Sequence, residues 1–190
     1  MLEAGYSLPH MGGRRANRRA GDQRSAISEQ GSGASGILSS TLRNEMGDML
    51  KNKREIQVEW GDCDPFGIVF FPRYLEYFDA CTNALFHRAT EITKADMLRK
   101  YKIAGIPLVQ ASANFYVPSS FGDVVTVESE VTKWGTSSFE VTHKLFRGET
   151  LAVEGFEKRV WTVRVGDRPH EVKSQAIPKE IIEKFSSRWG

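Results

Sequence analysis

The chain has 190 residues, with 26 Lys or Arg against 24 Asp or Glu, and its formal net charge is +2. This length suits one domain with a hydrophobic core. The near balance of charge excludes the basic excess typical of proteins whose main partner is nucleic acid or an anionic membrane. No apolar run approaches the roughly 20 residues of a membrane-spanning helix. We therefore predict one folded domain whose partner must be inferred from a specific site.

The two cysteines, Cys63 and Cys81, are too few for a disulfide framework and have no metal-ligand spacing. Unpaired thiols are expected in a reducing compartment, so the predicted location is the cytoplasm. The sequence also has no glycine-rich phosphate motif. We expect neither a metal nor an organic cofactor.

Residues 1–50 differ in composition from the rest of the chain. They are rich in Arg, Ser and Gly and contain few large apolar side chains, so they cannot bury enough surface to offset the entropy of ordering them. An organellar targeting peptide has a similar composition, and an upstream start codon, with Met46 or Met49 as the natural beginning, is another interpretation. We predict a disordered or non-native extension over 1–50 and a folded domain over 51–190.

The folded region begins with a predicted strand and helix. Strict alternation of polar and apolar residues over 55–60 predicts a half-buried strand. A helix is predicted over 72–89, since Pro72 suits a first helical position. Its apolar positions recur at three- and four-residue steps, which predicts a largely buried helix: Leu75, Phe78, Thr82, Leu85 and Ala89. A shorter, more polar helix is predicted over 94–101.

Four antiparallel strands follow, joined by turns of hairpin length. Their predicted ranges are 108–117, 124–134, 137–146 and 151–165. In the second of them Val125, Val127, Ser129 and Val131 face one way and polar residues the other, so one face of the sheet is in contact with water. With a short closing helix over 178–185, these elements predict an α+β domain in which a curved sheet wraps around one helix.

The segment from Gly61 to Tyr74, GDCDPFGIVFFPRY, holds two acids in a tight loop before the long helix. Asp64 precedes a proline, which favours extended backbone, and Gly67 permits a positive φ. The unpaired N–H groups and partial positive charge of a helix start suit a developing oxyanion. The residues alone leave open whether Asp62 or Asp64 caps a turn or takes part in catalysis. A site for a hard cation would lack a third ligand.

The run GDCDPFGIVFFPRYLEYFDA closely resembles the opening motif of the 4-hydroxybenzoyl-CoA thioesterase family, GDCDPxGIVx[YF]PxY, and weaker similarity extends over about residues 55–165. The resemblance implies a hot-dog fold and hydrolysis of an acyl-CoA to free acid and CoA. It implies that Asp64 attacks the thioester or activates water, and that the backbone N–H of Phe71 binds the oxyanion in a pocket shaped by Gly67. It places Asp79 near the ring end of an aromatic acyl group, although Asp79 could equally be an exposed helical acid.

The same resemblance implies a homodimer, commonly paired again into a tetramer, with acyl-CoA bound between subunits. Relatives carry Arg or Lys just after the tryptophan that matches Trp134, where this chain has small and polar residues. Contacts to the CoA phosphates must then come from elsewhere in the chain, although each candidate residue could instead be an ordinary solvated charge. The candidates are Lys133, Lys144, Arg147 and Lys158.

Two rival functions stay open. One is a non-catalytic module that binds acyl-CoA or an acyl carrier, because a fold can keep its pocket without its chemistry. The other is a dehydratase or hydratase of the same fold, which would use a histidine with an acid. His87, His143 and His170 do not lie in an equivalent loop, so structural roles are expected for them. Within the thioesterase interpretation, an aromatic acyl group such as hydroxybenzoyl is favoured over a short or medium chain.

Overall fold

The computed structural model describes residues 49–186. The strands are β1 (Lys51–Gln57), β2 (Leu108–Phe115), β3 (Val124–Trp134), β4 (Ser138–Arg147), β5 (Thr150–Val160), β6 (Thr162–Arg164) and β7 (Val172–Ser174). The helices are α1 (Phe71–Thr90), α2 (Lys94–Tyr101) and α3 (Lys179–Ser186), and a 3₁₀ turn covers Trp60–Asp62. These elements make an α+β domain in which one long helix packs on one large sheet.

The large sheet has five antiparallel strands in the order β1-β3-β4-β5-β2. Its inner face follows from alternation along β3, where Val125, Val127, Ser129 and Val131 are buried and the residues between them are not. The outer face carries polar and charged residues, as expected for an antiparallel sheet with one face in contact with water. The strands β6 and β7 form a separate two-stranded ribbon.

Helix α1 packs on the inner face of the sheet. Phe78, Thr82 and Leu85 on this helix are fully buried, at the three- and four-residue spacing that produces one apolar face. The helix ends at Thr90, and its C-cap, Glu91, has a left-handed backbone conformation with a φ of 59°. Gly155 on β5 lies directly beneath Phe78, and this contact sets how closely helix and sheet approach.

The buried residues divide into two clusters. One joins α1 to the ends of β3 and β4 beside the loop that precedes α1, and it includes Val58, Val69 and Tyr74. The other joins α1 to Trp161 and the closing helix α3. The first cluster therefore supports the acidic motif, while the second closes the far end of the domain.

Most predicted elements are present, with three corrections. Strand β2 does not form the predicted hairpin with β3, because it pairs with β5 at one edge of the sheet. The strand predicted over 55–60 lies at 51–57, and Trp60 instead begins a 3₁₀ turn with a side chain that is 78% exposed. The strand predicted over 151–165 is interrupted at Trp161, whose fully buried ring separates β5 from β6. The predicted bounds of α2 and β3 are confirmed.

The predicted extension over 1–50 lies outside the described residues except for its last two positions. Leu50 is buried, and its N–H donates to the carbonyl of Phe185 at 2.9 Å. Met49 packs against the same cluster. The core therefore begins at least two residues before the boundary predicted at 51.

We expect Gly155→Ala to destabilise the fold, because a Cβ at this position would lie 2.3 Å from Cε2 of Phe78. Overpacking of this kind typically costs about 1–3 kcal/mol. Urea unfolding of the variant should show the loss. The matched control is Gly61→Ala, where a Cβ meets nothing within 4 Å; an equal loss in both variants would contradict the assignment of Gly155 to a helix contact.

Candidate active site

The acidic motif folds into a small hairpin that runs directly into α1. Cys63 and Val69 form an antiparallel bridge across it, and the Asp64 N–H donates to the carbonyl of Ile68 at 2.9 Å. Gly67 near its tip has a φ of 79°, a conformation that residues with a Cβ rarely adopt. The hairpin is anchored to the domain because the Val69 N–H donates to the carbonyl of Ser119 at 2.8 Å.

The two acids of the motif have different surroundings. The Asp62 side chain accepts a hydrogen bond from the Glu59 N–H at 2.9 Å, in a capping arrangement at the 3₁₀ turn, and it lies 3.7 Å from the Arg73 guanidinium. Asp62 is therefore a structural cap. The turn-capping role that the sequence left open for both acids is observed for Asp62, and one oxygen of Asp64 also accepts a hydrogen bond within its own turn.

Asp64 is half-buried and only partly engaged by the protein. One of its carboxylate oxygens accepts a hydrogen bond from the Phe66 N–H at 2.8 Å, which holds the side chain in a turn. The other oxygen has no hydrogen-bond partner among residues 49–186. A carboxylate that is held in place and keeps one free oxygen can act as a nucleophile or a general base.

The start of α1 provides a hydrogen-bond donor next to this hairpin. Phe70 is the N-cap and Phe71 the first helical residue, followed by Pro72. Within the described part of the chain, the Phe71 N–H donates to no protein acceptor. Because the first N–H groups of a helix carry partial positive charge, Phe71 can bind an oxyanion through its backbone.

Two clefts border the hairpin. The first, of about 400 Å³, is lined by Asp64 together with Trp60, Cys63, Pro65, Gly67 and Phe121. The second, of about 340 Å³, is more apolar and is lined by Phe71 with the neighbouring residues Ile68, Val69, Tyr74, Phe115, Tyr116, Val117 and Pro118. The structure thus brings Asp64 and Gly67 together in one cleft and places Phe71 in the adjoining one.

Asp79 lies two turns along α1 from the helix start and does not line either cleft. Its side chain is 52% exposed, and Oδ1 accepts a hydrogen bond from Nη2 of Arg159 at 2.6 Å. Oδ2 accepts from Nδ2 of Asn83 at 3.1 Å. Asp79 is therefore an exposed acid whose carboxylate is nonetheless held from two sides.

Arg159 connects Asp79 to a buried polar network beneath α1. Its Nε and Nη2 atoms donate to the two carboxylate oxygens of Glu157 at 2.8 and 2.9 Å. Glu157 also accepts from the Thr82 hydroxyl at 2.7 Å and lies 3.5 Å from Nε2 of His143. Burial alone would raise the pKa of Glu157, but hydrogen bonds from His143, Arg159 and Thr82 lower it to about 2.

His143 has the structural role that the sequence predicted. Its Nδ1 lies 2.8 Å from the Ser129 hydroxyl, and its ring stacks on Phe78 at a centroid distance of 4.7 Å. The contacts of a catalytic triad, in which a serine meets a histidine that meets an acid, are also present among Ser129, His143 and Glu157. All three residues are buried under α1. A substrate cannot reach this serine.

Arg159 and Glu157 are not among the residues predicted from the sequence, although the sequence contains a signal for them. Along β5 the inner face is formed by Val153, Gly155, Glu157 and Arg159. Two charged residues in succession on a buried face are unusual unless they are paired. Assigning the inner face of β5 before the structure was known would have identified the pair.

The four residues predicted to bind CoA do not form one cluster. Lys133 and Lys158 each lie within 4 Å of Glu140, at 3.5 and 3.7 Å. Lys144 lines a separate small cavity on the sheet. Arg147 donates to the Pro118 carbonyl at 2.7 Å. Their role in binding CoA stays a prediction.

Among residues 49–186, no three His, Cys, Asp or Glu side chains are close enough to hold a metal ion. Cys63 and Cys81 are both free thiols, and burial raises the pKa of Cys81 to about 11, which makes it a poor nucleophile. Within the same range no helix is long and apolar enough to cross a membrane.

Comparison with known proteins identifies the family. The family model described as the thioesterase-like superfamily matches residues 58–185. The chain is 31% identical over 135 residues to the 4-hydroxybenzoyl-CoA thioesterase of Pseudomonas sp. (strain CBS-3), across 68% of this chain and 94% of that protein. The solved structure of 4-hydroxybenzoyl-CoA thioesterase from that strain aligns with a TM-score of 0.65 at 27% identity, over 70% of this chain and 98% of that one. A gentisyl-coenzyme A thioesterase aligns with a TM-score of 0.60 at 26% identity, over 72% and 100%.

The chain therefore belongs to the thioesterase-like superfamily. This membership confirms the predicted family and, together with the sheet and the long helix, the predicted α+β hot-dog fold. It also confirms the prediction that the protein is an enzyme that hydrolyses acyl-CoA thioesters, in preference to the binding module and to the dehydratase or hydratase.

The buried network predicts how stability depends on pH. The folded-state pKa of Glu157 is about 2 against an ordinary value of 4.5, so its contribution is present above pH 4.5 and is lost as the pH falls from 4.5 towards 2. We expect the free energy of unfolding to fall by on the order of 3 kcal/mol over this pH range. Urea unfolding at several pH values would measure the change. Glu157→Gln should reduce this pH dependence, whereas Glu149→Gln on an exposed turn should keep it; identical pH profiles for all three proteins would contradict the role of Glu157.

Proposed function

We propose that this protein hydrolyses the thioester of an aromatic acyl-CoA to free acid and CoA, with Asp64 as its catalytic carboxylate. The observation that carries the proposal is the half-buried Asp64 side chain, which lines a cleft and keeps one oxygen free. The unpaired N–H of Phe71 at the adjacent helix start supports it. A carboxylate and an oxyanion donor are the two groups that acyl transfer requires.

In the proposed reaction the thioester carbonyl oxygen accepts a hydrogen bond from the Phe71 N–H. Either Asp64 attacks the carbonyl carbon to form a mixed anhydride that water then hydrolyses, or Asp64 removes a proton from a water molecule that attacks the same carbon. In both routes the carbon–sulfur bond breaks and CoA leaves as a thiolate. The dipole of α1 stabilises the negative charge that develops on the oxygen.

A single turnover in ¹⁸O-water tests for the route through the anhydride. If Asp64 attacks and water then strikes the aspartyl carbonyl of the anhydride, the label enters Asp64 and the first product acid is unlabelled. If water attacks the acyl carbon, either of the thioester or of the anhydride, the label appears in the product by both routes. Mass spectrometry of the peptide that contains Asp64 would detect the first outcome.

An aromatic acyl group suits the side chains around the helix start. The cleft that contains Phe71 is lined with the rings of Tyr74, Phe115 and Tyr116 and exposes mostly apolar surface. Tyr74 and Phe115 have ring centroids 5.6 Å apart. Rings of this kind bind another aromatic ring by stacking or edge contacts. The relatives named above as 4-hydroxybenzoyl-CoA and gentisyl-coenzyme A thioesterases act on such groups by their names.

The proposed site is completed by a second copy of the chain. Strand β2 is an edge of the sheet and is exposed along nearly its whole length, including Leu108, Val109 and Phe115. An exposed apolar edge strand is a template for pairing with another strand. We propose that two β2 strands pair about a two-fold axis and join the two sheets.

This pairing would bring Asp79 of the partner subunit to the cleft beside Phe71. Asp79 lies near the beginning of β2, because Arg159 contacts both Asp79 and the carbonyl of Ile106. Phe71 lies near the end of β2, because it shares a cleft with Phe115. Antiparallel pairing about a two-fold axis places the beginning of one strand against the end of the other. The partner's Asp79 would then face the far end of the acyl ring.

Further features of the proposal rest on the sequence. With the family resemblance as support, we propose that two dimers pair into a tetramer and that the protein is cytoplasmic. We also propose that the CoA phosphates bind to Lys133, Lys144, Arg147 or Lys158. The two free thiols agree with a reducing compartment.

Asp64→Asn should reduce kcat by about 10² to 10⁴, because the amide can neither attack nor accept a proton. The measurement is release of CoA thiol from 4-hydroxybenzoyl-CoA, benzoyl-CoA and a short-chain acyl-CoA. Asp167→Asn on an exposed loop is the matched control and should keep normal turnover. Near-normal turnover of Asp64→Asn would disprove the role of Asp64, and binding of every ester with no thiol released would favour the non-catalytic module.

Val109→Glu should weaken the dimer by at least about tenfold, because it places a charge on each copy of the apolar edge. Sedimentation velocity at micromolar concentration measures the change in mass. Val172→Glu on β7, away from this edge, is the control and should stay dimeric. A native protein that is monomeric at all concentrations tested would refute the proposed pairing.

A further inference from the structure

Arg159 is the most deeply buried cation that the proposed reaction does not use. Its side chain is 4% exposed, yet its guanidinium reaches the surface residue Asp79. Three of its nitrogens donate hydrogen bonds in three directions: to Glu157, to Asp79 and to the Ile106 carbonyl. The guanidinium is therefore fixed in one orientation.

Buried residues of the core fix the orientation of the Arg159 guanidinium. Glu157 binds Arg159 through both carboxylate oxygens and is itself held by Thr82 of α1 at 2.7 Å. His143 lies beside Glu157 and bonds to Ser129. Residues from α1 and from three neighbouring strands thus meet in one network, and Asp79 is the member at its exposed end.

Stability alone does not account for this arrangement. A buried ion pair adds little net stability compared with apolar residues of the same volume, and Glu157 already supplies both oxygens for an ion pair with Arg159. The link to Asp79 instead fixes Oδ1 of a half-exposed side chain that, among residues 49–186, would otherwise be held by Asn83 alone. Holding one carboxylate in place increases the strength of a hydrogen bond to a ligand, because the orientation is fixed before binding.

We propose that Arg159 is a positioning residue for the ring-end acid that the family resemblance implies: it holds the Asp79 carboxylate in the orientation in which that carboxylate accepts a hydrogen bond from a hydroxyl group on the acyl ring. A carboxylate only accepts hydrogen bonds, and each oxygen of Asp79 has one protein partner, so lone pairs stay available on both. The two carboxylates that Arg159 contacts, Glu157 and Asp79, carry two negative charges against its single positive charge. This arrangement selects hydroxylated aryl acyl-CoA esters over unsubstituted ones, and it rests on the function proposed above.

The test compares two esters that differ by one hydroxyl group, 4-hydroxybenzoyl-CoA and benzoyl-CoA. The quantity measured is the ratio of their kcat/KM values in the native protein, Asp79→Asn, Arg159→Gln and the double variant. Arg164→Gln, the same change at an exposed position, is the control and should keep the native ratio. A hydrogen bond to a charged group is worth about tenfold or more in discrimination.

We expect the ratio to fall about tenfold in Asp79→Asn and by a similar factor in Arg159→Gln, with no further fall in the double variant. Such non-additivity would show that Arg159 acts through Asp79. The proposal is overturned if Arg159→Gln slows both esters equally, if the ratio stays native in either single variant, or if the double variant loses the product of the two factors.

Loss of the fold is separated from loss of positioning by thermal unfolding of each variant. If Arg159→Gln does not fold, Arg159→Lys replaces it; this variant keeps the charge but not the planar, multi-directional hydrogen bonding, and its ratio should also fall. If the native protein hydrolyses neither ester, the proposed function fails. If it hydrolyses both and only the ratio test fails, the function stands and the role of Arg159 is refuted.

Discussion

The close contact between α1 and the sheet is the constraint on which the site depends. Phe78 lies against the bare backbone of Gly155, so the helix sits low enough on the sheet for Thr82 to reach Glu157. The same packing fixes the helix start at the hairpin, where Phe71 offers its N–H. A helix held further from the sheet would lose both the polar network and the alignment of its first turn with Asp64.

The two acids of the motif, Asp62 and Asp64, are separated by one residue but have different roles, one structural and one chemical. Asp62 satisfies backbone and guanidinium donors and holds the turn. Asp64 gives one oxygen to its own turn and keeps the other. This division follows from local structure, because Asp62 ends the 3₁₀ turn whereas Asp64 lies in the hairpin that follows it. Rigidity and reactivity are thereby assigned to different side chains of one loop.

Local patterns allowed the elements to be predicted, whereas contacts between distant strands could not be. Periodicity gave the bounds of α2 and β3, and the motif indicated Asp64 and Phe71 through a family resemblance. The alternation over 55–60 was wrong from Val58 onward, because strand β1 ends at Gln57 and a 3₁₀ turn begins at Trp60. The link between Asp79 and Arg159 joins residues 80 positions apart. Such a pairing depends on which strands are neighbours and on which face each residue lies.

The order of strands in the sheet has a consequence for how the chain assembles on the ribosome. Among residues 49–186, strand β2 pairs only with β5, so it emerges before this neighbour has been synthesised. The consecutive hairpins of β3, β4 and β5 close short loops and can form first. Docking of β2 is then a late event, and a nascent chain carries an unsatisfied apolar strand until synthesis has passed β5. Chaperone dependence during translation would concentrate in that interval.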